Sequence, residues 1–487
     1  MRWHVVLLFV PLLSTFSLVG TSASAAESQV IGSRPNIILI VADDLGYGEL
    51  GCYGQRRIKT PHLDQLASEG IRFTQFYAGA SLCASSRNVL LTGEHTGHCR
   101  IRDNGPPQTQ TLRPEDVTIA EVLKQAGYAT AVIGKWAIGG DLPETGGRPE
   151  DQGFDYFYGY LNTVHAHNYW PTYLWRNRQK VPLGNVVQKV PPGYAGFVGG
   201  MATKKVAYSH DLFIREALQW IDHNQEGPFF LFLTPTIPHA NPEARKLTAK
   251  RTPDGTGNGT EVPELGRYAD ENWSEQNKGQ AAMISRLDSG VGQILSRLEE
   301  LGIEKKTAVF FTSDNGPHNE AGHDPDFFQA AGPLRGRKFS LYEGGLRVPL
   351  IARWTDTIRS GQVTDQIAYF GDFFATFAAL AGQPLPAKDL DSISLLPTLL
   401  DQPAAQTQHP YLYWELHGGS PRQAVRFGRF KAIRSPLGSG PIKLYDLQAD
   451  IGETQDLAPA KPAIVAQAGR YLDQAHRESP IWKDPPQ

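Results

Sequence analysis

Cysteine and methionine are both scarce, at three residues each in 487. Cys52, Cys83 and Cys99 cannot build a disulfide framework, and the odd count leaves at least one without an intrachain partner. An excess of either charge is also missing. Lys and Arg number 47 against 50 Asp and Glu, a formal net charge of -3. Bulk charge therefore gives no reason to expect nucleic acid or an anionic membrane as partner, and any anion must be recognised by local groups. After the first 25 residues no apolar run is long enough for a stable membrane span. No repeat at solenoid spacing is present.

What is present begins with an export signal. Arg2 supplies a positive start, residues 5–19 are apolar apart from the break at Pro11, and Ala23-Ser24-Ala25 is a small-residue cleavage site. Residues 1–25 are therefore expected to be removed, and the mature protein to be exported to the periplasm or the extracellular space.

Strand and helix patterns alternate through the first three quarters. Residues 36–42, 129–133, 229–233, 308–312 and 348–352 are short apolar runs typical of strands buried on both faces. Helical stretches lie near 117–126, 210–223 and 280–301. Thr60-Pro61 opens a further helix that Gly70 closes. The alternation predicts an α/β fold with a mostly parallel central sheet flanked by helices. Past Pro384-Leu385-Pro386 the texture changes to four short runs at 411–414, 423–427, 430–433 and 443–447, then a helix at 463–475. These predict a catalytic domain over 34–385 and a smaller α+β subdomain with an antiparallel sheet over 386–487. Residues 251–262 are expected to form a surface loop.

Two acidic pairs end two of the strands. Asp43-Asp44 follows the first, and Asp314-Asn315 follows the fourth. Ligands gather at the carboxyl ends of parallel strands, so both pairs can meet there. Three carboxylates and an amide oxygen form an all-oxygen set suited to calcium or magnesium rather than zinc; alternatively, each pair caps its own loop. Ser81-Leu82-Cys83-Ala84-Ser85-Ser86-Arg87 precedes a helix expected to begin near Ser85. Cys83 would sit at its amino end, where backbone N–H groups favour an anion and lower a thiol pKa, with Arg87 one turn along. A packed cysteine beside a surface arginine is the plainer reading of the same residues.

Taken together, these segments resemble the type I sulfatases, the arylsulfatase-like, formylglycine-dependent branch of the alkaline phosphatase superfamily. Pro35-Asn36-Ile37 with Asp43-Asp44-Leu45-Gly46 is similar to the family's amino-terminal signature, and Cys83 to Arg87 with Leu91-Thr92-Gly93 to its cysteine signature. Gly134-Lys135-Trp136, Thr312-Ser313-Asp314-Asn315-Gly316 and Leu334-Arg335-Gly336-Arg337-Lys338 come in the family's order, as does Leu444-Tyr445-Asp446-Leu447 near the carboxyl end. The resemblance covers nearly all of the mature chain. It implies one Ca2+ held by Asp43, Asp44, Asp314 and Asn315. It also implies that Cys83 is oxidised to formylglycine (3-oxoalanine) by a formylglycine-generating or anaerobic sulfatase-maturing enzyme, and that its hydrate touches the metal. Arg87 would steady the hydrate, and Lys135 and Lys338 would bind sulfate oxygens, with Lys338 assisting the leaving oxygen. His239 would contact the sulfate or donate a proton. Attack on sulfur would give a covalent sulfo-enzyme that the hydrate's second hydroxyl collapses. The substrate would be a sulfate ester, an aryl sulfate or a sulfated glycan.

Two positions depart from the family pattern. Ser85 stands where Pro or Ala is usual, and the maturing enzyme reads that short segment in an extended state. Ala137 stands where many relatives carry His; His165 or His167 could substitute if that segment is extended with both side chains on one side, and a loop packed by its aromatics is the equally open reading. His95 and His98 either line the site or are structural. The aromatic stretch 154–175 is expected to form a rim that stacks substrate rings. Two other functions remain open: a phosphoester hydrolase of the same superfamily, and a non-catalytic sulfated-glycan binder that kept the cation but lost maturation. Export processing has its own check: the amino-terminal peptide of protein recovered from the exporting host should begin at Ala26, and a mature chain retaining residues 5–19 would contradict it.

Overall fold

The computed structural model describes residues 30–106, 109–140, 146–190, 199–244, 258–388 and 390–483. The expected signal segment, and residues 251–257 of the expected surface loop, lie outside them. Five parallel strands form the centre: β1 (Asn36–Ala42), β2 (Ala129–Lys135), β3 (Tyr156–Tyr160), β4 (Phe229–Thr234) and β5 (Thr307–Ser313), in the spatial order β5-β1-β4-β2-β3. Antiparallel strands extend both edges. β6 (Leu350–Arg353) and Ile71–Phe73 lie beyond β5, and Tyr173–Arg176 and Gln179–Pro182 lie beyond β3. With Gln362–Thr364 this makes a ten-stranded mixed sheet.

The pattern of β1 explains the layering. All seven of its residues are buried. Ile37, Leu39 and Val41 enter one core, while Ile38, Ile40 and Ala42 enter the other. A strand alternates its side chains, so an unbroken apolar run requires cover on both faces. Among the covering elements, α1 (Cys83–Thr92) belongs to the first core, and α2 (Ser209–Asn224) and α3 (Glu275–Glu300) to the second. The helix after Thr60 runs Pro61–Ser68. No helix among the described residues is long and apolar enough to cross a membrane.

A separate four-stranded antiparallel sheet comes next: β7 (Leu412–Leu416), β8 (Arg422–Phe427), β9 (Phe430–Arg434) and β10 (Ile442–Asp446), covered by α4 (Pro462–Ala475). Leu412, Trp414, Leu416, Ala424, Ile433 and Tyr445 join the first core, and a buried polar knot adds to that tie. Lys431 Nζ lies 2.9 Å from Glu343 Oε1, Glu343 N–H donates to Glu453 Oε2 at 2.7 Å, and Tyr77 donates to Glu343 Oε2 at 2.8 Å. This knot anchors the chain just after Lys338, so the small sheet braces a site loop. Trp414 adds a bond from Nε1 to the Ala78 carbonyl at 2.9 Å.

The expected aromatic rim does not exist. Phe154, Phe157, Tyr158, Tyr160, Tyr169, Trp170 and Trp175 are all buried. Their rings pack on each other and on the sheet, as in Trp136–Phe154 and Trp170–Tyr208. Aromatic spacing in the sequence reports core, because β3 and its antiparallel neighbour are covered on both sides.

Close backbone approach is needed where β2 meets β4. Gly134 has φ +121°, and a Cβ there would lie 2.0 Å from the Thr234 carbonyl oxygen. Gly134→Ala should therefore lower the urea unfolding midpoint, with a loss of about 2–4 kcal/mol from strain and overpacking; a midpoint equal to that of the parent would show that the strands separate freely.

Candidate active site

The carboxyl ends of β5, β1, β4 and β2 converge on one cluster. β5 delivers Asp314 and Asn315, β1 delivers Asp43 and Asp44, β2 ends in Lys135, and the segment after β4 brings His239. From outside these strand ends come Cys83 and Arg87 on α1 and Lys338 on the loop braced by Glu343. Every one of these residues is buried.

The cluster pairs three carboxylates with three cations. Arg87 donates Nε and Nη2 to Asp314 Oδ2 at 3.1 and 2.9 Å, and Nη1 to the Lys135 carbonyl. Lys135 Nζ bridges both oxygens of Asp43 at 2.9 and 2.7 Å. Lys338 Nζ donates to Asp44 Oδ2 at 2.8 Å, to Glu320 at 3.0 Å and to His239 Nε2 at 3.0 Å. His239 holds its Nδ1 against the Ala240 carbonyl. A carbonyl only accepts, so Nδ1 carries the hydrogen and Nε2 is the acceptor facing Lys338. In this arrangement the ammonium, not the imidazole, carries the transferable proton.

Burial and neighbouring charge set the electrostatics of the cluster. Burial would strip the proton from Lys338, but Asp44 and Glu320 outweigh it and hold its pKa well above the ordinary lysine value. Burial opposes ionisation of Asp44 too, and Lys338, His318 and Lys135 more than compensate, lowering its pKa. For Asp43 burial wins over Lys135, with Asp314 and Asp44 adding repulsion, and its pKa rises. Burial and Lys338 together push His239 well below the usual histidine range.

The donor set suits a hard divalent cation. Its donors are oxygen: three carboxylates and the amide oxygen of Asn315. Asn315 Oδ1 is buried and has no hydrogen-bond partner among the described residues, while its amide nitrogen donates to Asp44 Oδ1 at 2.7 Å. An orphaned buried oxygen beside crowded carboxylates is what a cation would relieve. Asp43, Asp44 and His239 each offer a ligand atom within 4.8 Å of the others. Asp44 itself is held at φ +66°, a strained conformation for a non-glycine residue.

Cys83 is the first residue of α1, two positions earlier than the expected helix start. Its pKa is raised rather than lowered. Burial dominates, Lys135 opposes it, and Asp43 and Asp314 add to it. The helix amino end supplies N–H groups as expected, but a dry site beside two carboxylates disfavours a thiolate. Asn104 brackets residue 83. Its Oδ1 accepts from Ala84 N–H at 3.2 Å, and its amide nitrogen lies 3.6 Å from Cys83 Sγ. Ser85 is buried and donates to the Leu82 carbonyl at 3.2 Å.

The histidine expectations divide. Residues Thr163–Ala166 form a helical turn rather than an extended segment, which sends His165 and His167 to different places. His165 packs between Tyr160 and Tyr173, with ring centroids at 4.9 and 4.5 Å, and burial lowers its pKa to about 3. His167 stacks on His239 at 5.0 Å and bonds Glu243 at 3.1 Å. His95 and His98 stack on each other and both bond Asp391. The site also contains three residues that sequence reasoning does not single out: Asn104, Glu320 and His318. The nearest signal is the run Pro317-His318-Asn319-Glu320 close behind the second acidic pair. His318 uses both ring nitrogens, on the Pro238 carbonyl and on Glu320 N–H.

The Arg87–Asp314 pair has a measurable consequence. Arg87→Met leaves Asp314 buried with its partner removed, which should cost about 3–5 kcal/mol in urea unfolding. Arg87→Met/Asp314→Leu should recover part of that loss; equal stability of Arg87→Met and parent would contradict the pairing.

Comparison with known proteins places the chain in a family. The family description "Sulfatase" matches residues 35–383, and "N-sulphoglucosamine sulphohydrolase, C-terminal" matches 337–475. The chain is 33% identical to human arylsulfatase A over 90% of its own length and 87% of that protein's. It is 32% identical to rat N-acetylgalactosamine-6-sulfatase over 87% of its own length and 74% of that protein's. A sulfatase from a glycosaminoglycan-metabolism locus of Bacteroides thetaiotaomicron superposes with a TM-score of 0.70 at 27% identity, covering 91% of this chain and 99% of that one. Ps i-CgsB in complex with k-i-k-neocarrahexaose gives 0.72 at 26% identity, covering 93% of this chain and 95% of that one. With its strand-end carboxylates, its helix-start cysteine and a family match over most of its length, the chain belongs to the sulfatase family and is a sulfuric ester hydrolase.

Proposed function

We propose that the protein hydrolyses sulfate monoesters of aryl or carbohydrate alcohols, using formylglycine made from Cys83 and one Ca2+ held by Asp43, Asp44, Asp314 and Asn315. The observation that carries the reading is the buried cluster at the strand ends: Lys135 on Asp43, Lys338 on Asp44 and Arg87 on Asp314, with Cys83 one turn before Arg87 at the start of α1. When present, the cation and the formylglycine hydrate supply Lewis-acid charge and a nucleophilic oxygen. The chain's own residues do the rest. Lys135 and Lys338 offset the negative charge of the sulfate, and their carboxylate partners keep them oriented before substrate arrives. Lys338 gives its three N–H groups to Asp44, Glu320 and His239, so turning one of them toward the leaving oxygen would deliver a proton there while the other two hold the amine in place. Arg87 fixes Asp314 and the end of β2 together.

The phosphoester alternative would call for a second metal ion; Asp44, His318 and Glu320 bring ligand atoms within 4.8 Å of one another, although His318 places both ring nitrogens on backbone groups and Lys338 donates to Asp44 and Glu320. All ten residues of α1 are buried. Conversion of Cys83 by a formylglycine-generating or anaerobic sulfatase-maturing enzyme therefore acts on the chain before it folds. Export to the periplasm or the extracellular space is part of the same reading, resting on the sequence of residues 1–25.

Mass spectrometry of the residue-83 peptide from the native host should show loss of sulfur and gain of an aldehyde. The same protein should turn over a para-nitrophenyl sulfate faster than the corresponding phosphate. Lys338→Ala should lower kcat by about 10²–10³-fold, and Ca2+ should raise the Tm of the parent but not of Asp44→Ala. An intact thiol in protein that still binds sulfated glycan would instead favour a non-catalytic binder, and a phosphate preference would favour the phosphoester reading.

A further inference from the structure

A cleft of about 1480 Å³ opens beside the site, lined by Arg56, Arg57, Arg337, Lys338 and Phe339 among others. It exceeds the roughly 300–1,000 Å³ that a small ligand fills. Its charge is one-sided. Three guanidiniums line it against a single carboxylate, Asp326. Arg57 is fixed along the wall, 4.0 Å above the Phe327 ring and donating to the Phe327 carbonyl at 2.7 Å. The chain as a whole carries a net charge of -3, so this local excess is not a sample of the general surface.

Phe339 closes the end nearest the chemistry. It is 50% exposed, and its backbone is left-handed at φ +69°. Its N–H donates to the Ser81 carbonyl at 3.1 Å, two residues before Cys83, and its own carbonyl accepts from Arg422 at 2.6 Å. A ring held to solvent on a strained, doubly tethered backbone is a fixed stacking platform rather than a loose surface residue.

We propose that this cleft is a subsite for a second anionic group on the leaving-group side of the substrate, so that the ester acted on belongs to a saccharide bearing several sulfates or carboxylates. Arg56 and Arg337 engage the neighbouring anion, and a sugar ring lies against Phe339. Planar guanidiniums match sulfate and carboxylate oxygens in pairs, and the cleft would concentrate a polyanion that a small aryl sulfate does not need. The inference rests on the sulfate-ester reading for the reacting group, and on the cleft alone for the second anion.

The test uses the full mature chain and two sulfated hexasaccharides, one with a glucosamine–uronate backbone and one with a galactan backbone, measured by titration calorimetry at low and high salt. At least one should bind, and more weakly as salt rises. Arg56→Ala and Arg337→Ala should each weaken that binding about tenfold, and together about a hundredfold. Phe339→Ala should weaken it as well. The same variants should leave kcat/KM for para-nitrophenyl sulfate unchanged. Failure of both hexasaccharides to bind, or arginine variants that bind like the parent, would overturn the subsite. Absence of aryl sulfate turnover by protein whose residue 83 is fully converted would overturn the hydrolase reading instead, while the calorimetry still decides the cleft.

Discussion

Three carboxylates, Asp43, Asp44 and Asp314, lie buried at the carboxyl ends of the central strands, and each is met by a positive side chain from a different part of the chain. A buried charge without a partner is severely destabilising, so these contacts constrain far more than their own side chains. Lys135 can reach Asp43 only if β2 ends beside β1 with one strand between, which the register of β1, β4 and β2 provides. Arg87 can reach Asp314 only if α1 packs with its amino end over the strand termini. Lys338 can reach Asp44 only if its loop is tied down, and Lys431, Glu343 and Glu453 do that from the small sheet. The charge balance of the site thus couples both sheets.

That balance also shapes the chemistry. The lysines are oriented by carboxylates before any substrate binds, so little reorganisation remains for the reacting state. His239 is kept neutral and faces Lys338 as an acceptor, which makes the lysine the carrier of the proton. The crowding of Asp43 and the unpartnered oxygen of Asn315 among the described residues are consistent with the proposed divalent ion.

Much of the site is legible in the sequence because its residues end apolar runs. A buried parallel strand announces itself as continuous hydrophobicity, and the residues just past its carboxyl end lie at the ligand-binding edge; Asp43-Asp44, Lys135 and Asp314-Asn315 all obey this rule. The failures share one cause. The thiol of Cys83, the ring spacing of 154–175 and the pair His165 and His167 are read from local pattern, while their behaviour depends on what packs around them. Burial beside carboxylates raises the thiol pKa, cover on both faces turns the supposed rim into core, and a helical turn at Thr163–Ala166 separates the two histidines. Asn104, Glu320 and His318 come from loops whose courses no periodicity encodes.

The sequence by itself determined the α/β layering, the strand ends that carry the acidic pairs, and the order of motifs that places the chain among the sulfatases, because hydrophobic period and short-range residue spacing are local properties. Only the tertiary structure decided which cation meets which carboxylate, which nitrogen of His239 accepts from Lys338, that Asn104 brackets residue 83, and that Arg56, Arg337 and Phe339 share one cleft. Those relations join residues up to about three hundred positions apart, and their energies depend on burial and mutual distance, which exist only once the chain has folded.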